Sequence, residues 1–161
     1  MFKLFKKKEK AHVLGAVAKG QAVPLSQVND PTFSQAILGE GAAVIPSEGK
    51  IYAPADGKVE MVFDALHALS ITADFGAEIL IHVGLDTVQL KGQGFEAHVK
   101  AGDQVKKGDL LLTVDLDQVK AAGYDTIIPV IICNTADFEK VEAAPGGEKA
   151  PGDDFITVTE K

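Results

Sequence analysis

Short runs of β-favouring residues, separated by turns that contain glycine or proline, recur along this chain and most constrain its fold. Strand signals return roughly every eight to twelve residues, a spacing typical of sandwiches and barrels. Examples are Val13–Val23, Ala42–Ile45 and Leu110–Val114. Helical patterns are confined to short segments such as Thr32–Leu38 and Asp115–Ala122, each followed by glycine. The sequence therefore predicts an all-β, antiparallel sandwich or barrel with a few short helical turns.

The length and composition indicate one globular domain preceded by a basic tail. The chain has 161 residues, enough to bury one core, and its 46% hydrophobic and 24% charged residues are ordinary for a soluble protein. The first ten residues contain five lysines and one glutamate, although the net charge of the whole chain is -7. We therefore predict a basic, flexible tail over residues 1–12 and a single domain over residues 13–161.

The basic tail has two interpretations. Phe2, Leu4 and Phe5 alternate with its lysines, and such a segment can make weak contact with an anionic membrane surface through residues 1–10. A solvated tail with no binding role is the alternative. The start at Met1 also predicts a free-standing component and not part of a larger permease.

The residue types exclude several classes of function and suggest a location. All 16 basic residues are lysine, which argues against nucleic acid as a partner. No apolar run could span a bilayer, and no signal peptide is present. The single cysteine, Cys133, cannot form an internal disulfide, so we predict a cytoplasmic location. Because Cys133 ends an apolar run, we expect it to be buried.

Two histidines on neighbouring predicted strands form the candidate site. His82 lies in Ala77–Val88, an apolar run that breaks at Gly84. His67 lies in Phe63–Ala73, and a turn signal joins the two segments. Adjacent antiparallel strands would bring the two rings side by side.

The residues alone leave two chemistries open for this histidine pair. Neutral imidazoles are common zinc ligands, but a third ligand would have to come from Asp86, water or a partner. Alternatively, burial keeps a ring neutral, and a neutral ring nitrogen can attack phosphorus and carry a phosphoryl group. Gly84 would let the backbone approach the ring and fix its tautomer.

These segments resemble a known protein family. The run from Glu78 to Val88, followed by Lys91–Phe95, resembles the signature of glucose-type enzyme IIA of the bacterial phosphoenolpyruvate-dependent sugar phosphotransferase system. The resemblance also includes Asp30–Phe33, Ala53–Gly57 and Thr126–Val130, and it covers most of the chain from Val13 to Asn134. It implies an antiparallel β-sandwich of the barrel-sandwich hybrid type, with a duplicated hybrid motif. A short echo between Ala16–Val23 and Ala53–Val59 supports such a duplication.

The resemblance implies a role for each site residue. His82 matches the histidine that accepts the phosphoryl group from phospho-HPr and passes it to the IIB domain of a sugar permease. His67 matches the second histidine, which is needed for donation. Gly84 matches the residue whose carbonyl holds the Nδ1 proton, and Asp86 matches an acidic residue near the site. The apolar rim on which partners dock corresponds to Phe33, Ile37, Leu38, Phe63 and Val88.

The resemblance also frames the cofactor and the regulatory partners. It implies a phosphotransferase with a phosphohistidine intermediate and no required cofactor. Zinc is conditional: His67 and His82 would bind it at an interface where a partner, such as a regulated permease or kinase, supplies a further ligand. The alternative is a regulatory or zinc-dependent binding protein of the same fold without relay activity.

Two positions depart from the family pattern, and two rival families fit less well. Ala65 stands where a threonine often orients the second histidine, and Leu69 stands where an aromatic residue is common. The spacing of His82 and Asp86 also resembles lysostaphin-type zinc endopeptidases, but the required His-x-His pair is absent. Biotinyl and lipoyl carriers share the turn pattern, but their modified-lysine motif is missing. His12 and His98 are read as surface residues.

Overall fold

The fold is known from a computed structural model that describes residues 10–161. The predictions for residues 1–9, including membrane contact, lie outside the described residues. The strands are β1 (Ala11–Gly15), β2 (Gly20–Pro24), β3 (Glu40–Pro46), β4 (Lys50–Tyr52), β5 (Gly57–Val62), β6 (Ala68–Ala73), β7 (Glu78–His82), β8 (Phe95–Ala97), β9 (Gln104–Val105), β10 (Leu110–Val114), β11 (Ile128–Ile132), β12 (Phe138–Ala143), β13 (Gly147–Lys149) and β14 (Asp154–Glu160). The helices are α1 (Pro31–Ser34) and α2 (Leu116–Ala121), and short 3-10 turns occupy Leu25–Gln27, Thr87–Leu90 and Thr135–Asp137.

The strands form three sheets in which every pairing is antiparallel. The largest sheet has eight strands in the order β13-β2-β3-β11-β7-β6-β5-β9. The two smaller sheets have the orders β1-β14-β12 and β4-β10-β8. The predicted all-β, antiparallel sandwich with few helical turns is therefore confirmed.

The hairpin of β6 and β7 shows why the sequence alternates as it does. Leu69 pairs with Ile81, Ile71 pairs with Ile79, and all four side chains are fully buried in the main core. Ser70 and Leu80 pair on the opposite face, where both are half-buried. The period of two residues thus places one face of the hairpin in the core and leaves the other for the site.

Strand β11 is buried on both faces, which explains its continuous apolar sequence. Its outer face meets a second, smaller cluster that comes mainly from the segments following β2 and β7. That cluster contains Val23, Leu25, Val28, Phe33, Ala43, Leu85, Ile127 and Ile131. This cluster lies next to β7, the strand that contains His82, because β11 pairs directly with β7.

Some predicted boundaries and one predicted environment differ from the structure. Strand β1 includes Ala11 and His12, which were predicted to lie in the tail, and β6 starts at Ala68 and not at Phe63. The prediction that Cys133 is buried was wrong. Strand β11 ends at Ile132, and Cys133 begins the turn that follows, where its N–H donates to the carbonyl of Glu78 at 2.8 Å. Within residues 10–161, no helix is both long and apolar enough to cross a membrane.

Candidate active site

The two histidine rings meet, as the predicted hairpin requires. His82 is the last residue of β7 and pairs with Ala68, so His67 lies just before the paired strand. The ring centroids are 4.9 Å apart and the planes are nearly perpendicular, at 84°. The N–H of Val83 also donates to the carbonyl of His67 at 2.6 Å, which ties the backbones of the two histidines together.

A tight turn after β7 determines the tautomer of His82. Gly84 has φ +85°, a left-handed conformation that favours glycine, and its carbonyl lies 2.7 Å from Nδ1 of His82. A carbonyl can only accept, so Nδ1 carries the proton when the ring is neutral. The lone pair of the neutral ring is then on Nε2, which is the nitrogen available to a reaction partner.

Burial and nearby charges act in opposite directions on the pKa of His82. Burial lowers this pKa, and its effect is the largest. The hydrogen bond to the Gly84 carbonyl and the negative charges of Asp30 and Asp86 raise the pKa and partly offset the effect of burial. The net result is a pKa below the ordinary value, so the ring is neutral near pH 7.

His67 is more deeply buried and has less support. Its side chain is 6% exposed, and its buried Nδ1 has no hydrogen-bond partner among the described residues. Burial, together with the neighbouring His82, lowers its pKa to about 4. Ala65 has no hydroxyl to offer, and no other described side chain replaces one, in agreement with the departure noted in the sequence.

The predicted rim residues divide into one buried support and four exposed side chains. Phe33 is only 5% exposed and packs against His82 at a centroid distance of 5.1 Å. Phe33 was predicted to belong to the apolar docking rim, and in the structure its ring is buried beside the imidazole of His82. Phe63 packs against His67 at 5.7 Å and stays partly exposed. Ile37, Leu38 and Val88 are exposed, with Ile37 at 66%.

Two carboxylates, Asp30 and Asp86, influence His82, and Asp86 was predicted from the sequence as a site residue. Asp86 is exposed, has φ +59° and precedes the 3-10 turn Thr87–Leu90. Asp30 caps α1 by accepting a bond from the N–H of Thr32 at 3.0 Å. The Asp-Pro-Thr pattern of this cap was visible in the sequence, but its proximity to His82 depends on how α1 packs on the large sheet.

The site contains two side chains, His67 and His82, of a type that can bind a metal ion. Among residues 10–161, no group of three His, Cys, Asp or Glu side chains is arranged to hold a metal ion. His67 and His82 could supply two imidazole nitrogens, but a closed tetrahedral zinc site needs four ligands. A zinc ion here would therefore need further ligands from water or from a second protein.

The sequence is similar to a known family and to known proteins. Residues 12–138 match the model of the family described as EIIA 1 of the phosphoenolpyruvate-dependent sugar phosphotransferase system. The chain is 42% identical over 156 residues to the PTS system glucose-specific EIIA component of Oceanobacillus iheyensis, covering 97% of this chain and 94% of that protein.

Longer relatives contain a similar segment. The chain is 44% identical over 147 residues to the PTS system beta-glucoside-specific EIIBCA component of Bacillus subtilis. That alignment covers 91% of this chain but only 24% of the relative, so the chain spans about a quarter of its length.

A solved structure has the same fold. Glucose permease IIA from Mycoplasma capricolum superposes with a TM-score of 0.86 and is 36% identical in sequence. The match covers 92% of this chain and 96% of that one.

The Gly84 turn predicts a large effect of adding one methyl group. A Cβ at Gly84 would lie 2.5 Å from Cγ2 of Thr87 and 2.8 Å from the Asp125 carbonyl oxygen. Gly152 has a similar φ of +90° but no atom within 4 Å of such a Cβ, so it is the matched control. We expect Gly84→Ala to lower the free energy of unfolding by about 1 to 3 kcal/mol more than Gly152→Ala. Urea denaturation measures both, and equal losses would contradict the crowded turn.

The lowered pKa of His67 predicts how stability depends on pH. The unfolded chain binds a proton at this ring near pH 6.5, whereas the folded chain does so only near pH 4. Folded stability is therefore full above about pH 6.5 and falls as the pH is lowered to about 4, by about 3 kcal/mol at most. Urea denaturation across this range should show a smaller loss in His67→Gln. An unchanged pH dependence in that variant would contradict the prediction.

Proposed function

Because this chain belongs to the EIIA 1 family of the phosphoenolpyruvate-dependent sugar phosphotransferase system, we propose that it relays a phosphoryl group through His82. In this proposal His82 accepts the group from phospho-HPr and donates it to the IIB domain of a glucose-type sugar permease. The relatives named for glucose and beta-glucosides support a sugar-transport role for this chain. The chain would act in the cytoplasm as a transferase with a phosphohistidine intermediate.

The observation that carries the proposal is the bond between Nδ1 of His82 and the Gly84 carbonyl, 2.7 Å long. It leaves the lone pair on Nε2, which attacks the phosphorus of phospho-HPr. A nitrogen–phosphorus bond forms at Nε2 as the bond between phosphorus and HPr breaks. The electron pair of the broken bond stays with HPr. No proton has to leave His82, and the Gly84 carbonyl stabilises the positive charge that develops at Nδ1–H.

His67 would act as a neutral hydrogen-bond donor to the bound phosphoryl group. Its Nδ1 is buried without a partner, so a proton there would have no acceptor. The tautomer with the proton on Nε2 places the ring's only donor where it could meet a bound phosphoryl group and leaves Nδ1 as an unpartnered acceptor. Its Nε2–H could then stabilise charge on the phosphoryl oxygens as the group moves to a cysteine of IIB.

The surface around the two rings is suited to brief docking of a basic partner. Ile37, Leu38, Phe63 and Val88 present apolar area, and Asp30 and Asp86 place negative charge beside His82. Complementary charge speeds association and makes it salt-dependent, while a small apolar patch keeps the complex weak. Weak docking suits a protein that must meet two partners in turn.

Zinc and regulation form the alternative function. With two imidazoles available, the chain could bind zinc at an interface where a regulated permease or kinase supplies further ligands. The zinc would join the two proteins and would take no part in the relay. This alternative gains weight only if phosphorylation is not observed.

The relay predicts different failures for the two histidine variants. In a mixture of phosphoenolpyruvate, enzyme I and HPr, the wild-type chain should acquire an acid-labile, base-stable phosphate on His82. His67→Gln should still accept this phosphate but fail to pass it to IIB, because only donation needs the second ring. His82→Gln should accept none. Phosphate on His82→Gln, or an unphosphorylated wild-type chain beside charged HPr, would overturn the assignment.

The docking surface predicts a selective effect on affinity. Ile37→Ser removes an exposed apolar side chain without touching either histidine, so the KM for phospho-HPr should rise about tenfold while kcat stays unchanged. Val13→Ser is the matched control, because Val13 is also exposed, at 42%, but lies on β1 of a different sheet. Initial-rate kinetics measure both, and equal KM values for the two variants would refute the assigned surface.

A further inference from the structure

We propose that Thr87 and Asp125 are positioning residues that select the reactive tautomer of His82. They do so by fixing two successive peptide units, Val83–Gly84 and Gly84–Leu85, so that the Gly84 carbonyl stays aimed at Nδ1. The inference rests on the proposed relay, because the tautomer matters for function only if Nε2 attacks phosphorus.

The Gly84–Leu85 peptide unit is held at both edges. Its N–H, from Leu85, donates to the backbone carbonyl of Asp125 at 3.0 Å. In a planar trans peptide the C=O points opposite to the N–H, so this bond directs the Gly84 carbonyl away from Asp125 and toward His82. A rotation of the unit would break the bond to Asp125 and the bond to Nδ1 together.

The preceding peptide unit, Val83–Gly84, is held in the same way. The Gly84 N–H donates to the Ile127 carbonyl at 3.0 Å. On the other edge, the hydroxyl of Thr87 donates to the Val83 carbonyl at 2.6 Å. Thr87 is fully buried, so its hydroxyl has no water to replace this acceptor.

Asp125 also shapes the neighbouring loop that provides both carbonyl acceptors. Its side-chain Oδ1 accepts a hydrogen bond from the N–H of Ile127 at 2.9 Å. This turn between an Asp side chain and the backbone two residues later fixes the spacing of the Asp125 and Ile127 carbonyls. The carboxylate therefore acts on His82 through the loop, without touching the ring.

The test uses paired variants that remove or keep each hydrogen bond. Thr87→Val removes the hydroxyl but keeps the shape, whereas Thr87→Ser keeps the hydroxyl. Asp125→Ala removes the side-chain acceptor, whereas Asp125→Asn keeps it. Long-range proton–nitrogen NMR spectra of ¹⁵N-labelled protein report the tautomer of His82, with His82→Gln identifying its signals, and phospho-HPr kinetics report the rate of phosphoryl acceptance.

We expect Thr87→Val and Asp125→Ala to lower the ratio of the Nδ1–H to the Nε2–H form of His82 about fivefold, as for loss of one ordinary hydrogen bond. The rate of acceptance should fall in the same two variants, and Thr87→Ser and Asp125→Asn should restore both measurements. Asp125 lies at an exposed turn, so Asp125→Ala keeps the test valid if Thr87→Val does not fold.

The two measurements separate this inference from the relay itself. If the wild-type chain is phosphorylated but folded Asp125→Ala keeps the wild-type tautomer ratio, the positioning role is wrong and the relay stands. If the wild-type chain is never phosphorylated, the relay fails, whereas the tautomer ratios still decide whether these two residues set the state of His82.

Discussion

The hydrogen bond from Nδ1 of His82 to the Gly84 carbonyl is the constraint on which the rest of the site depends. It requires a left-handed residue directly after the strand end, with no Cβ where Thr87 and Asp125 approach. It also requires β7 to end where it does, which follows from its pairing with β6 and β11. The sheet therefore determines which nitrogen of the His82 ring is left without a proton.

Burial is the largest influence on the pKa of both histidines, but the interactions that offset it differ between the two rings. His82 keeps a backbone acceptor and two nearby carboxylates, and these partly offset the lowering of its pKa. His67 has no such compensation, and its pKa falls to about 4. Both rings are therefore neutral near pH 7, and one can act as a nucleophile while the other donates a hydrogen bond. Protonation of His82 would remove the lone pair on Nε2 that the proposed relay needs.

The sequence was most informative in the strands, where apolar side chains alternate with a period of two residues. The alternation in β6 and β7 and the turn between them predicted that His67 and His82 meet, because strand register leaves little choice. The burial of Phe33 and the proximity of Asp30 to His82 depend on how α1 packs, and Asp125 approaches Gly84 from a segment about forty residues away. Such long-range packing has no local period. The exposure of Cys133 was missed because β11 ends one residue earlier than its apolar run.

The charges around His82 explain why such a site would pass a phosphoryl group on and not retain it. Among residues 10–161, the charges that shift the pKa of His82 come from Asp30 and Asp86, and none of them belongs to a lysine. In the relay that we propose, an anionic phosphoryl group on Nε2 would therefore lie near two carboxylates, with one neutral N–H from His67 as its donor. Repulsion would raise the energy of the loaded state and favour transfer to an incoming thiolate. The small apolar docking surface would bind its partners weakly. Weak binding fits the proposed relay, because the acceptor must bind and dissociate in each cycle.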